Sequence, residues 1–539
     1  MKPNLLYAFG AIITLLLPTL ISAQAPTMGT AANFVLFSRN GAVTNDSPSI
    51  LTGNVGTNLG PVTGFGNVNG VMHNPDTVTG VAAADLLIAY NQLNAAIPTQ
   101  FPAPLLGNGQ TLTPGIYSVG VQVTTLSGIL TMDGLGDANS VFIIQIGAAF
   151  SSNANAEVRL INNAQACNVF WKVEGMVNLA TNTTMKGNIV ANNGEIVLAV
   201  GTELEGRALS TTGAVTSHGI KSAMPLGCGV PVLTGPVAPN LGSVECYAIF
   251  TGSGFNTNSG TSYVTGDVGT NVGITSGYQV SNVNGMIHSA PDTSTAQAAS
   301  DLNAARIYLS NLPIDINLLF PAQFGNNLVL TPHTYNMNGA AVQTGTVYLN
   351  AQNNPAAVFV IKTTAGAFST GTFAKVILQN GAQAKNVYWL VDGATGIAGF
   401  SEFKGTIVGH NGALDLAGGV ALVGRATTTS GALTVDSVNV NITPDCGFLA
   451  NTSFDAATKS KTVTLYPNPF NESLNIVING SEFSNAEFTI YDTLGRKMST
   501  STITNQVTTL QTENFPAGMY FYNVTANGKT IQSGKLLAK

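Results

Sequence analysis

The chain has 539 residues and a net charge of −6 at pH 7, and only 9% of its residues are charged. Such a chain offers no basic stripe that could meet nucleic-acid phosphates. Disorder usually accompanies high charge and few large apolar side chains, whereas this chain is 45% hydrophobic and contains 59 glycines. The composition therefore predicts a folded, mainly β protein with tight turns and a neutral polar surface.

The N-terminus has the pattern of a secretory signal peptide. Lys2 precedes an apolar stretch at 5–20, and small residues end at Ala23, after which cleavage would leave Gln24. A short membrane anchor is the alternative interpretation. After this leader no apolar run reaches the length of about 18 residues that a membrane span needs. The sequence predicts a secreted, extracellular protein, either released or attached to the cell surface.

Two segments of the chain repeat each other after the leader. The shared stretches read Gly-(Asn/Asp)-Val-Gly-Thr-Asn, Asn-Val-(Phe/Tyr)-Trp and Gly-Arg, and they lie at 53–58 and 266–271, 168–171 and 386–389, and 206–207 and 424–425. Such self-similarity indicates a tandem duplication of units of about 200 residues each. We expect a signal peptide at 1–23, a first domain at 24–229, a stiff proline-rich linker at 230–243, a second domain at 244–449 and a C-terminal domain at 450–539.

Each unit is predicted to contain one helix among many short strands. Apolar residues follow helical spacing at 86–93 in the first unit and at 302–309 in the second. Pro98 and Pro313 end these helices, and Thr293 or Thr295 is expected to be the N-cap of the second.

The remainder of each unit is punctuated by glycine or asparagine about every 8 to 12 residues. Apolar runs at 141–144 and 358–361 predict fully buried strands. This rhythm favours a β-sandwich or a stacked β-solenoid.

Four cysteines follow the leader, and they allow three pairings. Cys246 opens the second unit and Cys446 closes it, so a bridge between them would join the ends of one domain. Cys228 would then pair with Cys167. A bridge between Cys228 and Cys246, across the linker, is the competing choice.

Few residues could carry catalysis. His73 and His288 occupy equivalent positions, but no His or Cys spacing typical of a metal site occurs in the sequence. Asp85 and Asp301 recur within the helices as lone carboxylates, whereas acid–base catalysis commonly uses a second group.

The recurring Arg207 and Arg425 are expected to be buried or capping guanidinium groups rather than substrate ligands. Solenoids of the pectin-lyase type are the enzyme alternative, and they need clusters of charged residues that this chain barely supplies. The sequence therefore predicts no enzyme, no metal and no cofactor.

The two units resemble microbial ice-binding proteins built as a discontinuous right-handed β-solenoid with a long helix packed along it. The resemblance covers almost all of 30–228 and 244–446, and its motifs lie at 53–58, 141–147, 167–171 and in the Gly-Arg pair near the end of each unit. It implies an all-β fold with one helix per unit. It also implies adsorption to ice crystals, with inhibition of ice growth and recrystallisation and no chemistry.

The C-terminal region resembles the sorting domain of the Bacteroidetes secretion system. Its motifs are Tyr-Pro-Asn-Pro-Phe at 466–470, Tyr-Asp-x-x-Gly-Arg at 491–496 and Gly-Met-Tyr at 518–520. The strands between them alternate as in a small β-sandwich. The resemblance implies export across the outer membrane by the secretion machinery, after which the tail is removed or exchanged for a surface anchor.

Ice faces of the resembled family often carry Thr-(Ala/Gly)-x-(Thr/Asn) on successive rungs, and only pieces of that pattern occur in this chain. The predicted ice-binding residues are Ser152, Asn153, Asn155, Thr181, Thr183, Thr184 and Thr202 in the first unit, and Ser369, Thr370, Thr372 and Ser401 in the second. Because these outward residues differ between the copies, we expect one architecture with unequal ice faces. The plainer alternative is that they fill outward positions of ordinary strands.

A secreted adhesin or carbohydrate-binding module on the same scaffold is the rival function. Exposed pairs of aromatic residues would favour it, but aromatic residues make up only 7% of the chain, and Trp171 and Trp389 lie in the repeated core motif. The sequence therefore predicts a monomeric ice-binding protein whose partners are the ice surface and the secretion machinery.

Overall fold

The computed structural model describes residues 23–229, 231–442, 463–478, 486–526 and 529–539. The chain divides into two compact units, 1–446 and 447–539. The first holds both copies of the duplicated segment, each folded as a solenoid. Most of the predicted signal peptide lies outside the described residues.

The first solenoid contains 21 strands and one α-helix. In chain order they are β1 (Phe34–Ser38), β2 (Val43–Asn45), β3 (Ile50–Thr52), β4 (Asn54–Thr57), β5 (Val62–Thr63), β6 (Met72–His73), α1 (Thr77–Ala95), β7 (Leu105–Gly107), β8 (Gln110–Leu112), β9 (Gly115–Ser118), β10 (Thr124–Ser127), β11 (Ile129–Asp133), β12 (Phe142–Ile146), β13 (Phe150–Ser152), β14 (Glu157–Ile161), β15 (Val169–Val173), β16 (Val177–Leu179), β17 (Thr184–Ala191), β18 (Ile196–Leu198), β19 (Glu203–Ser210), β20 (Val215–Ser217) and β21 (Lys221–Ala223).

The second solenoid repeats this order. Its elements are β22 (Tyr247–Thr251), β23 (Asn256–Ser259), β24 (Tyr263–Thr265), β25 (Asp267–Thr270), β26 (Thr275–Ser276), β27 (Val283–Asn284), α2 (Thr293–Asn311), β28 (Ile316–Asn317), β29 (Phe324–Gly325), β30 (Leu328–Leu330), β31 (Thr334–Asn338), β32 (Ala341–Thr344), β33 (Thr346–Asn350), β34 (Phe359–Thr364), β35 (Phe368–Thr370), β36 (Lys375–Gln379), β37 (Val387–Asp392), β38 (Thr395–Ile397), β39 (Glu402–His410), β40 (Leu414–Leu416), β41 (Ala421–Thr428), β42 (Leu433–Asp436) and β43 (Asn439–Asn441). Short 3₁₀ helices lie at Gly29–Asn33, Ala166–Asn168, Gly242–Cys246, Val280–Asn282, Pro321–Gln323 and Ala384–Asn386.

Each turn of a solenoid passes through three faces. Most faces receive their own strand, whereas the long strands β17, β19, β39 and β41 each run across two faces. In the first solenoid, β12 lies on the face that carries the helix, β13 lies in a separate eight-stranded outer sheet, and β14 lies on the third face. We call these the helix-bearing face, the outer sheet and the interdomain face. The strands pair in parallel with those of the next turn, as expected for a solenoid.

The strand order explains why each solenoid is discontinuous in sequence. The first outer sheet runs β5-β2-β20-β18-β16-β13-β10-β7, so the N-terminal β2 lies beside the late β20. The chain reaches one end of the stack at β5 and must cross to the other end before β7. Eight strands at about 4.8 Å spacing span roughly 34 Å, and the 19-residue helix α1 covers about 28 Å of that distance. The second solenoid uses α2 in the same way.

Both helices begin with a capping box. Asp76 caps α1 and accepts a hydrogen bond from the Thr79 N–H, while the Thr79 hydroxyl accepts one from the Asp76 N–H. Asp292 and Thr295 repeat this arrangement in α2. The prediction of a threonine N-cap was wrong, because Asp292 is the cap and Thr295 lies three positions into the helix.

Two apolar clusters build each solenoid. One fills the interior between the three faces, and the other lies between the helix and the helix-bearing face. Trp171 and Trp389 are almost fully buried, and their indole N–H groups donate to the carbonyls of Lys186 at 3.0 Å and Lys404 at 2.9 Å. The Asn-Val-(Phe/Tyr)-Trp motif therefore recurs because its tryptophan packs in the core of each solenoid.

The recurring charged residues are structural as well. Arg207 is buried, donating to the Ala32 carbonyl at 2.8 Å and to Asn188 Oδ1 at 2.6 Å, and burial lowers its pKa to about 10. Arg425 repeats the first contact with the Glu245 carbonyl at 2.8 Å. These contacts agree with the predicted buried guanidinium groups.

Asp85 and Asp301 join each helix to the 3₁₀ turn that precedes the first strand of its solenoid. The Asp85 carboxylate accepts a hydrogen bond from the Thr30 N–H at 2.6 Å, and that of Asp301 accepts one from the Ser243 N–H at 2.7 Å. Their recurrence thus has a structural cause.

A disulfide joins Cys167 to Cys228 with a Cα–Cα distance of 6.1 Å. The competing bridge between Cys228 and Cys246 is therefore wrong. The favoured bridge between Cys246 and Cys446 cannot be placed, since Cys446 lies outside the described residues.

The two solenoids contact each other through one end of each. The Asn67 side chain donates to the Phe320 carbonyl at 2.8 Å and accepts from its N–H at 2.9 Å. Buried Asn69 donates to the Thr331 hydroxyl at 3.0 Å and accepts from the Tyr335 hydroxyl at 2.7 Å. A cleft of about 480 Å³ lies between the two interdomain faces beside this contact.

The linker is packed rather than loose. The Thr234 carbonyl accepts a hydrogen bond from the Val358 N–H at 2.9 Å, and the Val237 carbonyl accepts one from the Tyr308 hydroxyl at 2.9 Å. It therefore follows the surface of the second solenoid.

The C-terminal unit is a small antiparallel β-sandwich. Its strands are β44 (Val463–Tyr466), β45 (Ser473–Ile478), β46 (Ala486–Tyr491), β47 (Lys497–Ile503), β48 (Val507–Gln511), β49 (Gly518–Ala526) and β50 (Lys529–Ala538). They form one sheet of three strands and one of four around a shared apolar core. Within the described residues, no helix is long and apolar enough to cross a membrane.

Candidate functional site

The three faces of each solenoid differ in what covers them. The helix-bearing faces lie under α1 and α2. The interdomain faces carry four ion pairs made by lysine or arginine, which are Arg159–Glu157, Lys186–Glu205, Lys221–Glu203 and Lys375–Glu402. The two outer sheets are covered by neither a helix nor the other solenoid in the described residues, so they are the broad exposed faces.

The first outer sheet presents a column of outward side chains, most of which are small and polar. The central outward residue of each strand pairs in register with that of the next strand. In spatial order the column reads Thr63, Thr44, Thr216, Val197, Asn178, Ser151, Thr125 and Leu105. Neighbouring hydroxyls are within hydrogen-bond distance. The hydroxyl oxygens of Thr44 and Thr216 are 3.3 Å apart, and so are those of Thr125 and Ser151.

The second outer sheet carries the equivalent column. Its members are Ser276, Thr257, Thr434, Asp415, Gly396, Ser369 and Val342. Hydroxyl residues therefore recur at equivalent positions in the two copies, as in Thr216 and Thr434 or Ser151 and Ser369. At three of the seven shared positions the copies differ in the chemical type of residue, with Val197, Asn178 and Thr125 in the first solenoid corresponding to Asp415, Gly396 and Val342 in the second.

A short motif produces these rungs. Gly-Ala-(Val/Leu)-Thr occurs at 41–44, 213–216 and 431–434, and related versions occur at 148–151 and 366–369. The corner at Gly41 has no room for a side chain, because a Cβ there would lie 2.6 Å from the Ala214 backbone nitrogen. The apolar residue points inward and the threonine outward, as strand alternation dictates.

Alanine forms a second column beside the central one in the second solenoid. Its members are Ala432, Ala413, Ala394, Ala367 and Ala340. The matching column of the first solenoid includes exposed Met176 and Glu195. The column of the second solenoid continues into exposed Phe255 and Ile274, so each outer sheet carries some large side chains beside its central column, and the first sheet has more threonine.

Charge is sparse on these sheets. In the first, His218 Nδ1 lies 2.6 Å from Asp46 Oδ2, and this hydrogen bond lowers the pKa of the Asp46 carboxyl. In the second, the Thr434 hydroxyl donates to Asp415. Among the described residues, no group of three or more His, Cys, Asp or Glu side chains could hold a metal ion.

Comparison with known proteins identifies the two solenoids. The family described as ice-binding-like matches residues 38–221 and 249–441. The chain belongs to the ice-binding-like family. That family consists of ice-binding proteins rather than enzymes.

Individual relatives agree with this assignment. The chain is 39% identical over 199 residues to an ice-binding protein of Nostoc, a match that covers 36% of this chain and 72% of the relative. It is 33% identical over 214 residues to an ice-binding protein of Colwellia, covering 36% of this chain and 81% of the relative.

A solved structure matches both solenoids of this ice-binding-like protein together. The ice-binding protein of an Antarctic Flavobacteriaceae bacterium superposes with a TM-score of 0.77 at 61% sequence identity, covering 79% of this chain and all of that one. The predicted tandem pair of β-solenoids, each with a long helix alongside, is therefore confirmed.

The tail matches a second family, the secretion system C-terminal sorting domain, over residues 464–539. This confirms the recognition made from its motifs. A chain that carries this domain is secreted, which agrees with the predicted extracellular location.

Five of the predicted ice-binding residues are buried in the ice-binding-like fold. They are Ser152, Thr183 and Thr202 in the first solenoid and Thr370 and Ser401 in the second. They line the inside of the turn between the outer sheet and the interdomain face. The expectation that they point outward was wrong.

The other six predicted residues lie at the surface, though mostly beside the outer sheets rather than on them. Asn153, Asn155, Thr181 and Thr372 are exposed in the same turn, and Thr184 is half-buried on the interdomain face. Ser369 alone belongs to a central column. Their contact with ice remains a prediction.

Most residues of the two central columns were not predicted from the sequence, because the predicted ice-binding residues were chosen from the threonine-rich turns beside the strands. The recurrence of Gly-Ala-apolar-(Thr/Ser) was the available signal, since it marks a corner, an inward residue and an outward hydroxyl in fixed order.

Proposed function

We propose that the chain is a secreted ice-binding protein whose two outer sheets adsorb to ice and so inhibit its growth and recrystallisation. The observation that carries this proposal is the in-register column on the exposed outer sheet of each solenoid, which has serine or threonine at five of eight positions in the first solenoid and at four of seven in the second. Membership in the ice-binding-like family supports it.

The geometry suits a rigid lattice of water. Successive rungs place equivalent side chains about 4.8 Å apart, and alternate residues along one strand lie roughly 6.5–7 Å apart. Threonine has a methyl group that is apolar, a hydroxyl that can hold an ordered water, and a β-branch that restricts its rotamers. Because the side chains are already ordered, many weak contacts can add at little entropic cost.

Neighbouring hydroxyls reinforce this order. Thr44 and Thr216 are within hydrogen-bond distance of each other, as are Thr125 and Ser151, so each restricts the rotation of its neighbour. The columns therefore present a preformed array. Two such sheets on one chain can add avidity where both meet the same crystal surface.

The remaining predictions complete the proposal. The leader at 1–23 directs secretion and is removed, and the domain boundaries follow those predicted from the duplication. The C-terminal domain engages the secretion machinery and is then cleaved or exchanged for a surface anchor. The mature protein acts without catalysis or cofactor.

The test places a bulky side chain in the middle of each column. Thr216→Tyr and Thr434→Tyr should each reduce the shaping of a growing ice crystal in a nanolitre osmometer, because a tyrosine lifts the sheet away from a flat surface. Thr131→Tyr and Val423→Tyr are matched controls, since both residues point outward from the interdomain faces. Equal shaping by all four variants and the parent protein would refute the proposed surface.

A further inference from the structure

Two exposed phenylalanines stack on the second solenoid at the corner beside its outer sheet. The ring centroids of Phe373 and Phe400 are 5.4 Å apart and the rings are nearly parallel, at 13°. Their exposed fractions are 63% and 62%. Sequence composition gave no sign of such a pair.

Both phenylalanines have a backbone conformation that bulky residues avoid. Their φ angles are +60° and +58°, in the left-handed region that asparagine and glycine tolerate far better. Strain of this kind at exposed apolar residues is a reason to look for a function.

The duplication shows that the fold does not require these rings. Asn155 and Asn182 occupy the equivalent positions of the first solenoid, with φ angles of +60° and +57°. The backbone hydrogen bonds also correspond, since Phe373 N–H donates to the Gly399 carbonyl at 3.1 Å and Asn155 N–H donates to the Thr181 carbonyl at 3.0 Å. The second solenoid therefore has the same turns, but with phenylalanine in place of the asparagine that tolerates this backbone conformation.

Glycines border the rings on both sides, as Gly201 and Gly128 border Asn182 and Asn155 in the first solenoid. A Cβ at Gly419 would lie 2.6 Å from the Phe400 ring, so that ring extends over the glycine of the next rung. On the opposite side of the stack, a Cβ at Gly345 would meet nothing within 4 Å. The stack thus has open space next to Phe373.

A hydrogen-bonding pair flanks the rings. Lys375 and Glu402 follow them by two residues on adjacent strands, and Lys375 Nζ lies 2.7 Å from Glu402 Oε1 with both side chains about half exposed. The site therefore combines a small apolar surface with a charged donor and a charged acceptor.

That combination fits a sugar better than a protein. A stable protein interface buries about 800 Å² on each partner, which two rings do not approach. A β-linked pyranose with equatorial hydroxyls presents C–H groups on its faces and hydroxyls at its rim. The faces can lie against an aromatic ring, and the hydroxyls can pair with lysine and glutamate.

We propose that Phe373, Phe400, Lys375 and Glu402 form a binding site for a neutral polysaccharide of β-linked pyranoses. The site is separate from the hydroxyl columns. It would let the secreted protein hold an extracellular polysaccharide while its outer sheets contact ice.

Affinity electrophoresis of the secreted protein in gels containing hydroxyethyl cellulose, a neutral β-1,4-glucan, tests the proposal. The protein should be retarded, and dextran, which is α-linked, should retard it less. Phe373→Asn/Phe400→Asn installs the residues of the first solenoid and should weaken retention about ten-fold or more. Its midpoint of thermal unfolding should be unchanged or higher, because asparagine relieves the strained turn.

Each other outcome overturns the proposal. Mobility of the parent protein that hydroxyethyl cellulose does not change would do so, as would full retention by the double variant. Ice-crystal shaping should survive in the double variant, and its loss with retention intact would assign the rings to ice instead. Sedimentation showing self-association that the double variant abolishes would assign them to a second copy of the chain.

Discussion

Thr183 and Ser152 point into the first solenoid, and their hydroxyls are 2.7 Å apart beneath the turn that leaves the outer sheet. The Thr183 hydroxyl also donates to the Ala180 carbonyl at 2.7 Å, and the Ser152 oxygen accepts from the Ala180 N–H at 2.8 Å. These hydroxyls therefore satisfy the backbone of the turn. In the second solenoid the Thr370 oxygen accepts from the Ala398 N–H at 2.8 Å, whereas the Ser401 hydroxyl donates to the Gly371 carbonyl at 3.3 Å.

This role gives a prediction that separates fold from function. Thr183→Val should lower the free energy of unfolding by about 1–3 kcal/mol, because it leaves buried polar groups without their partner. Urea denaturation would measure the loss, and ice-crystal shaping by the folded variant should be unchanged. Exposed Thr181→Val is the matched control and should change stability by less than about 0.5 kcal/mol. Similar stability losses for both variants would contradict this assignment.

Individual residues were the least predictable level. A threonine next to a turn can point inward or outward, and the choice depends on how many residues the turn contains. The turn after β16, for example, is one residue longer than the turn after β20. The inward–outward alternation of a strand therefore does not predict which residues of the next turn point inward. Residues within strands, such as Thr44 after Val43, could have been assigned from alternation.

At the scale of elements, helix N-termini provide a pH-dependent test. Asp292 accepts hydrogen bonds from the N–H groups of Ser294 and Thr295, and His288 Nδ1 lies 2.7 Å from its carboxylate. The hydrogen bond with His288, together with these contacts, lowers the pKa of the Asp292 carboxyl from 3.8. A carboxyl whose pKa is lower in the folded protein stabilises it fully above its unfolded pKa, and loses that effect as pH falls toward the folded value.

Asp292→Ala should therefore destabilise the protein by about 1 kcal/mol at pH 7, as loss of an N-cap usually does. The difference between the variant and the parent protein should narrow below pH 3.8, where the parent carboxyl begins to lose this advantage. Thermal unfolding across pH would measure it. Asp292→Asn keeps a capping side chain and should lose less. A difference that stays constant from pH 7 into strong acid would be inconsistent with this linkage.

The elements themselves were largely predictable. Helical spacing that stops before Pro98 and Pro313 predicted both helices. The apolar runs at 141–144 and 358–361 predicted buried strands, because a strand buried on both sides has no alternation of apolar and polar residues. The N-cap of α2 was misplaced, since several candidate residues adjoin each other and only the local backbone selects Asp292.

At the scale of the whole molecule, the contact between solenoids determines whether they unfold together. Asn69 is buried and bridges Thr331 and Tyr335 of the other solenoid. Asn69→Ala should weaken this contact. In differential scanning calorimetry the two solenoids should then unfold in two separate transitions instead of one. Asn284→Ala changes the equivalent but exposed residue of the second solenoid and should have no such effect. An identical single transition in both variants would show that Asn69 does not couple the solenoids.

Duplication made the architecture predictable at this scale, because recurrence exposed the residues that the fold requires. The glycine corners, the tryptophans and the buried arginines all recur for reasons visible in the core. How the solenoids meet was not predictable, since Asn69 and Asn284 have the same local sequence and only the relative placement of the solenoids buries one of them.

The most direct test of the central claim, that both outer sheets adsorb to ice, is partitioning of the protein into slowly grown ice. Thr216→Tyr/Thr434→Tyr disrupts both hydroxyl columns and should remain in the liquid. Thr131→Tyr/Val423→Tyr, which alters the interdomain faces, should enter the ice as the parent protein does. Incorporation of the first double variant at the level of the parent protein would contradict the claim.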